Sequence, residues 1–332
     1  MQPFSYYRAI DLADAFGAMQ RDAGGQVIAG GTELVNWLKE GIVSPPVIVD
    51  INSLPDLGAV EANAAELSIG ALARMSDVAA HPQVQRNFPA IAEALHKSAS
   101  QQLRNMASMG GNLMQRTRCP YFRADVDLAC NKRRPGSGCA ALDGYDRTAA
   151  IFGWSEHCVA THPSDVAVAF AALDATVHVR GATGVERAIP VTDFYMLPGD
   201  APEHDNVLQR DELIVRISVP QSPVAHRSRY LKVRERTSYE FALVSVAAGL
   251  QLDGDGRITD VRIALGGVAH RPWRLAAGER ALPGTSITDH AAIRAAIEGA
   301  FADARPRRQN GFKIELAKRA VVRALQVAGG NA

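Results

Sequence analysis

Apolar positions near the start of the chain recur at helical spacing. Ile10, Leu12, Ala13, Phe16 and Met19 predict an amphipathic helix over 9–22. Gln26-Val27-Ile28-Ala29 then predicts a short strand that ends at Gly30-Gly31. Thr32 is placed to cap the next helix, with Leu34, Val35, Trp37 and Leu38 on its inner face. Pro46-Val47-Ile48-Val49-Asp50-Ile51 reads as a buried strand and 67–71 as another, and the Ala-rich stretch 84–103 reads as helix. A helix opens at Ser164-Asp165, followed by a strand over 175–180. The strand over 213–220 ends on Pro220 and runs into Gln221-Ser222-Pro223, which marks a boundary between units. The last third alternates strands near 228–234, 242–252 and 258–267, with Asp253-Gly254-Asp255-Gly256 as a hairpin turn. Helices over 287–302 and 311–327 close the pattern. This order of elements predicts an α+β protein of at least two units.

One stretch breaks the alternation. All four cysteines of the 332 residues (Cys119, Cys130, Cys139 and Cys158) fall within it, separated by ten, eight and eighteen residues. The sequence between them is turn-rich, as in Arg133-Arg134-Pro135-Gly136-Ser137-Gly138, and offers little periodic apolar surface. Four thiolates are the full ligand set of an iron–sulfur cubane or of a structural zinc ion, and bound metal supplies folding energy that such a segment lacks. The spacing leaves open which metal it is. It also leaves open four unrelated buried thiols. His157 and His162 flank the segment as ordinary polar residues, and Lys132-Arg133-Arg134 reads as a solvated turn.

Charge narrows the choice of partners. With 36 Lys and Arg against 35 Asp and Glu, the net charge is +1, which gives no broad basic face for nucleic acid. No apolar run approaches the roughly 20 residues of a membrane span, so no membrane insertion is expected. Met1 through Tyr6 read as neither an export signal nor a lipidation site.

Two glycine pairs carry candidate chemistry. Ile28-Ala29-Gly30-Gly31-Thr32-Glu33-Leu34 joins a strand to a helix, where backbone N–H groups converge on an anion. Ser108-Met109-Gly110-Gly111-Asn112-Leu113 has the same character. Each alone is compatible with a plain turn. Two in one chain suggest an extended ligand with two phosphates, held by neither the Rossmann nor the Walker pattern.

The two loops begin an ordered set of motifs. Ala29-Gly30-Gly31-Thr32-Glu33-Leu34 is followed by Arg104-Asn105, by Ala107-Ser108, by Gly110-Gly111-Asn112-Leu113 and by Pro163-Ser164-Asp165. Later come Asp193-Phe194-Tyr195, Asp211-Glu212-Leu213-Ile214, Tyr230-Leu231-Lys232-Val233-Arg234 and Leu265-Gly266-Gly267-Val268-Ala269. In this order they resemble the FAD-binding subunit of molybdenum hydroxylases, the xanthine dehydrogenase and carbon monoxide dehydrogenase family. In most of that family about a dozen residues separate the second glycine loop from Ser-Asp. Here 50 residues lie between Leu113 and Ser164. The strings Arg118-Cys119-Pro120-Tyr121-Phe122 and Pro135-Gly136-Ser137-Gly138-Cys139 are similar to the flavin subunit of bacterial heterotrimeric aldehyde oxidoreductases.

The resemblance implies an FAD-binding domain of the vanillyl-alcohol-oxidase type over 1–220, in two parts (about 1–55 and 56–220), with a [4Fe–4S] insertion at about 114–163 and a C-terminal domain over 221–332. It implies that Val27, Ile28, Ala29, Gly30, Gly31, Thr32, Glu33 and Leu34 wrap the FAD pyrophosphate, and that Ser108, Gly111 and Asn112 complete a second anion loop. Asp165, which a plain helix cap also explains, would bind the flavin's sugar-like chain. Ile214 would pack against the ring. Lys232, otherwise an exposed strand lysine, would reach the ring region. Cys119, Cys130, Cys139 and Cys158 would ligate the cluster. No catalytic residue for the organic substrate is implied. The implied partners are a molybdenum-cofactor large subunit and a small [2Fe–2S] subunit. The external acceptor would be oxygen, a quinone or an electron-transfer protein, and the complex would be periplasmic by co-export on a partner's signal. A hydroxybenzoyl-CoA reductase or xanthine dehydrogenase flavin subunit is the related alternative. A zinc-stapled scaffold without flavin is the alternative of another class.

Overall fold

The computed structural model describes residues 1–21 and 24–330. Three sheets organise them. β1 (Ser5–Arg8), β2 (Gln26–Ile28) and β3 (Val47–Asp50) form a parallel sheet in the order β1-β3-β2. The helix Leu12–Arg21 buries Ala15, Phe16 and Ala18 toward it. A second, antiparallel sheet holds β4 (Val60–Ala62), β5 (Glu66–Gly70), β6 (Thr176–Gly181), β7 (Glu186–Pro190) and β8 (Glu212–Pro220), ordered β4-β5-β8-β6-β7. The third, also antiparallel, holds β9 (Ser228–Val233), β10 (Val244–Leu252), β11 (Ile258–Gly266) and β12 (Trp273–Arg274). Its cover is the long helix Phe312–Ala328, which packs on β9 and β10.

The helix Asp165–Ala172 sits at the centre, and every one of its eight residues is buried. It contacts β10, β11 and the helix Pro89–His96, so one apolar core runs from the second sheet into the third. Beyond Asp165 the helix is apolar on all sides and has no solvent face to offer, which is why it lies inside.

The cysteine-bearing stretch folds on a small core of its own, Ala141, Ala149, Ala150, Trp154 and Val159, with Cys119 and Cys139 packed against it. It is fastened to the last third of the chain. Asn310 Nδ2 donates to Ala149 O at 3.0 Å and Ala150 O at 3.2 Å. Lys313 is buried, and its Nζ donates to the carbonyls of Thr148 (2.9 Å), Ala149 (2.9 Å) and Gly267 (2.7 Å). Arg305 lies 4.4 Å over the Trp154 ring.

Several elements depart from the pattern-based expectation. The first helix spans Leu12–Arg21 with Ile10 exposed, and the expected end at residue 22 lies outside the described residues. Thr32 does not cap its helix: Glu33 precedes Leu34–Lys39 with helical backbone and no side-chain cap bond. The stretch 84–103 is not one helix. It divides into Pro82–Asn87, Pro89–His96 and Gln101–Met106, broken at Pro89 and at Ala99, whose φ is +48°. The hairpin turn is present, with Gly256 at φ +74° and Asp253 Oδ1 accepting from the N–H groups of Asp255 and Arg257. The sequence pattern anticipates neither β1 nor β4, β7 and β12, of which β4 and β12 are too short to show a period.

Candidate functional site

A cleft of about 1040 Å³ opens between the first sheet, the second sheet and β9. That volume is at the upper end of small-molecule sites, roughly 300–1000 Å³. All fourteen residues assigned to flavin line it: residues 27–34, Ser108, Gly111, Asn112, Asp165, Ile214 and Lys232.

The first glycine loop is built to receive an anion. No acceptor among the described residues meets the backbone N–H groups of Gly30, Gly31, Thr32 or Glu33. Gly31 has φ +72°, a backbone state that costs other residues about 1 kcal/mol or more. A Cβ on Gly30 would stand 1.9 Å from Met106 O, so glycine there lets this loop touch the chain entering the second one.

The second loop differs from expectation. It is the short helix Met109–Leu113, and its N–H groups are already engaged. Met109 and Gly110 donate to Ala73 O and Ala71 O, and Gly111 donates to Ser108 Oγ. Asn112 Oδ1 accepts from Ser164 Oγ at 2.6 Å. This wall therefore offers close backbone approach at Gly111 rather than a ring of free donors.

Asp165 and Lys232 meet in the cleft lining. The helix cap is Ser164, whose Oγ accepts from Ala167 N, so the plain-cap explanation of Asp165 fails. The Asp165 carboxylate instead accepts from Tyr230 OH at 2.5 Å and from Lys232 Nζ at 2.7 Å, with Ser98 Oγ 2.9 Å away. The Lys232 side chain is 1% exposed and that of Asp165 is 6% exposed, so Lys232 is not an exposed strand lysine. What it presents to the cleft is an ion pair, not a free cation. Ile214, on β8, is buried in the same lining. Burial and the neighbouring Asp165 push the Tyr230 hydroxyl well above its usual range, so it stays a donor to the carboxylate.

The four cysteines are free thiols and lie in one neighbourhood. Cys130 and Cys139 face each other across an isolated antiparallel bridge, and a second bridge joins Ser155 to Cys158. A hydrogen bond between the Cys139 and Cys158 thiols pulls Cys139 below the usual thiol range, while the same contact and burial push Cys158 up. Burial raises Cys119 to about 11, with Cys130 and Cys139 within electrostatic reach. Among the described residues, no three His, Cys, Asp or Glu close on a point as ligands of one metal ion do.

Residues 2–222 match the family described as the FAD binding domain in molybdopterin dehydrogenase. The chain belongs to this family. Residues 229–328 match the CO dehydrogenase flavoprotein C-terminal domain. The chain is 46% identical to the aldehyde oxidoreductase FAD-binding subunit PaoB of Escherichia coli, over 100% of both chains. It is 28% identical to the glyceraldehyde dehydrogenase medium chain of Sulfolobus acidocaldarius, over 86% of this chain and 83% of the relative. The fold superposes on carbon monoxide dehydrogenase from Hydrogenophaga pseudoflava with TM-score 0.76 at 23% identity, over 100% of both chains. The α+β architecture and the flavoprotein family are thus both as the sequence motifs implied, and the chain is an oxidoreductase subunit with an FAD-binding domain.

Motif reading missed several participants. Arg118, Arg123, Arg236, Tyr239 and Phe241 also line the cleft. The signal for the first two was available, since they flank Cys119 at −1 and +4. Lys132 is not in a solvated turn: its side chain is 1% exposed, and it donates to Pro202 O and to Asp205 Oδ1 at 2.7 Å. His157 is exposed and lies 3.4 Å from Asp200. His162 is half-buried and packs on Tyr195, its sealed Nε2 has no partner among the described residues, and the desolvation lowers it to about 3.

Proposed function

We propose that this chain is the FAD- and [4Fe–4S]-carrying electron-transfer subunit of a molybdenum-dependent aldehyde oxidoreductase. It would receive electrons from a molybdenum subunit through a small [2Fe–2S] subunit and pass them to oxygen, a quinone or an electron-transfer protein. The carrying observation is the cleft itself, in which unpaired N–H groups at Gly30–Glu33 and the Asp165–Lys232 pair line one cavity.

The residues suit FAD. Four free N–H groups in one loop would take the pyrophosphate, Gly30 keeps both loops in contact, and Asp165, Ile214 and Lys232 would border the ring-side end. When bound, FAD supplies a centre that accepts electrons singly and releases them as a pair. The chain's part is to orient it and set its surroundings.

Cys119, Cys130, Cys139 and Cys158 would hold the [4Fe–4S] cluster. Cys119 and Cys139 pack on one small core and Cys130 is bridged to Cys139, an arrangement that suits that donor set. The aldehyde assignment rests on identity: 46% to the aldehyde oxidoreductase subunit against 26% to the xanthine dehydrogenase FAD-binding subunit XdhB of Escherichia coli. Location in the periplasm, by co-export on a partner, is part of the same proposal. The test is the purified chain's spectrum with its iron, sulfide and flavin contents. Flavin bands over a broad brown absorbance are expected, whereas a colourless protein with one zinc would overturn the reading.

A further inference from the structure

The last residue of the first glycine loop's anion-binding backbone, Glu33, itself carries a carboxylate. Glu33 is mostly buried, at 14% exposure of its side chain. A negative charge there opposes a pyrophosphate by simple Coulomb repulsion. The structure shows what cancels it. Arg118 Nη1 donates to both Glu33 oxygens at 2.7 Å, and Arg123 Nη2 donates to Oε1. Arg123 also reaches Glu40 Oε2 at 3.0 Å. Two carboxylates on the loop side of the cleft are thus matched by two guanidinium groups.

Both guanidinium groups come from the turn around Cys119. Arg123 N donates to Cys119 O at 3.0 Å, Arg123 Nε to Thr117 O at 3.2 Å, and Cys119 N to Thr117 Oγ1 at 3.2 Å. The turn is therefore locked around the cysteine, with the two arginines projecting onto the glycine loop. No cysteine lines the flavin cleft itself. If the turn lost its anchor, both arginines would leave the loop side together. Glu33 and Glu40 would then face the incoming pyrophosphate unbalanced.

We infer that Arg118 and Arg123 are positioning residues that make flavin affinity depend on an assembled four-cysteine site. The dependence runs through the charge of Glu33. This rests on the function proposed above and adds an order to it: the cysteine site is completed first, and the flavin cleft becomes fully receptive afterwards.

The experiment titrates the flavin-free full-length chain with FAD, read by quenching of flavin fluorescence, and measures iron in parallel. Cys139→Ser should weaken FAD binding about tenfold or more, since breaking a partly buried ion pair leaves an uncompensated charge. Arg118→Gln removes the partner that binds both Glu33 oxygens and leaves only Arg123 on that carboxylate, so it should weaken binding in the same direction while keeping its iron, and it covers the case in which the cysteine variant does not fold. Adding Glu33→Gln to either variant should return affinity to within about threefold of wild type, because the stranded charge is gone. A purely structural role for the arginines would leave the double variants as weak as the singles. Wild-type affinity in both single variants, or no recovery on removing the Glu33 charge, refutes the inference. The parent reading fails differently: a wild-type chain that binds no FAD removes the flavin assignment, and one that binds FAD but holds no iron removes the cluster. In that last case loss and rescue at Arg118 alone would still refute or uphold the charge argument.

Discussion

Lys232→Ala isolates the ion pair at the Asp165 end of the cleft lining. In the native protein its ammonium lies 2.7 Å from Asp165, and both side chains are nearly sealed from water. Removing the lysine leaves the carboxylate with Tyr230 OH and Ser98 Oγ as neutral donors. Breaking one partner out of a buried pair costs about 3–5 kcal/mol, and two remaining donors place this case at about 3 kcal/mol. For urea unfolding followed by far-UV circular dichroism on flavin-free protein, that corresponds to a midpoint lower by roughly 1 M. The reasoning makes a second demand. Lys232→Ala/Asp165→Asn removes the stranded charge along with its partner, so it should recover at least half of the lost stability. A single variant within about 0.5 kcal/mol of wild type would refute the burial argument, and so would a double variant no more stable than the single.

Further expectations concern each remaining part of the site. Gly31→Val should abolish flavin retention while leaving iron in place, because the φ of +72° and the close approach of Ile28 leave no room for a branched side chain; full FAD content in the variant would remove the loop from the site. Iron and sulfide near four per chain are expected in wild type, and Cys139→Ser should lose both and open residues 115–160 to hydrogen exchange; zinc near one without iron contradicts this. The chain without partners should pass electrons from reduced flavin to an added acceptor yet oxidise no aldehyde, and aldehyde turnover by molybdenum-free chain would sink the subunit assignment. His162, held near 3 by burial against an ordinary value of 6.5, binds fewer protons folded than unfolded between those values. Stability should therefore fall as pH drops from about 6.5 toward 3, and His162→Asn should flatten that slope; an unchanged slope would exonerate His162.

The parts of this protein that are legible from its chain are those that repeat a period or use glycine. β10 and β11 carry nine residues each, long enough for burial to leave a pattern. Gly30 and Gly31 announce a tight strand-to-helix turn because no other residue tolerates the contact with Met106 or the positive φ. The cysteines announce themselves by number and clustering. Sequence could not show which long polar side chains are buried. Lys132, Lys232 and Lys313 look like surface lysines until distant chain supplies their acceptors, at Asp205, at Asp165 and at Gly267. The second glycine loop misled for a related reason. Whether its N–H groups are free depends on Ala71 and Ala73, more than thirty residues away.

The fastening of the cysteine-bearing stretch by Asn310 and Lys313 also bears on biosynthesis. Residues 148–150 leave the ribosome long before residues 310–313, so the carbonyls that Asn310 and Lys313 hold have no native donors while the middle of the chain is being made. At roughly 5–20 residues per second, the intervening 160 or so residues correspond to a delay of about ten to thirty seconds. During that interval the four thiols are present on a stretch that has not yet been secured. The proposed cluster would therefore enter its native geometry only after translation, and a ribosome-bound chain truncated before residue 310 would display the cysteines without the frame that holds them.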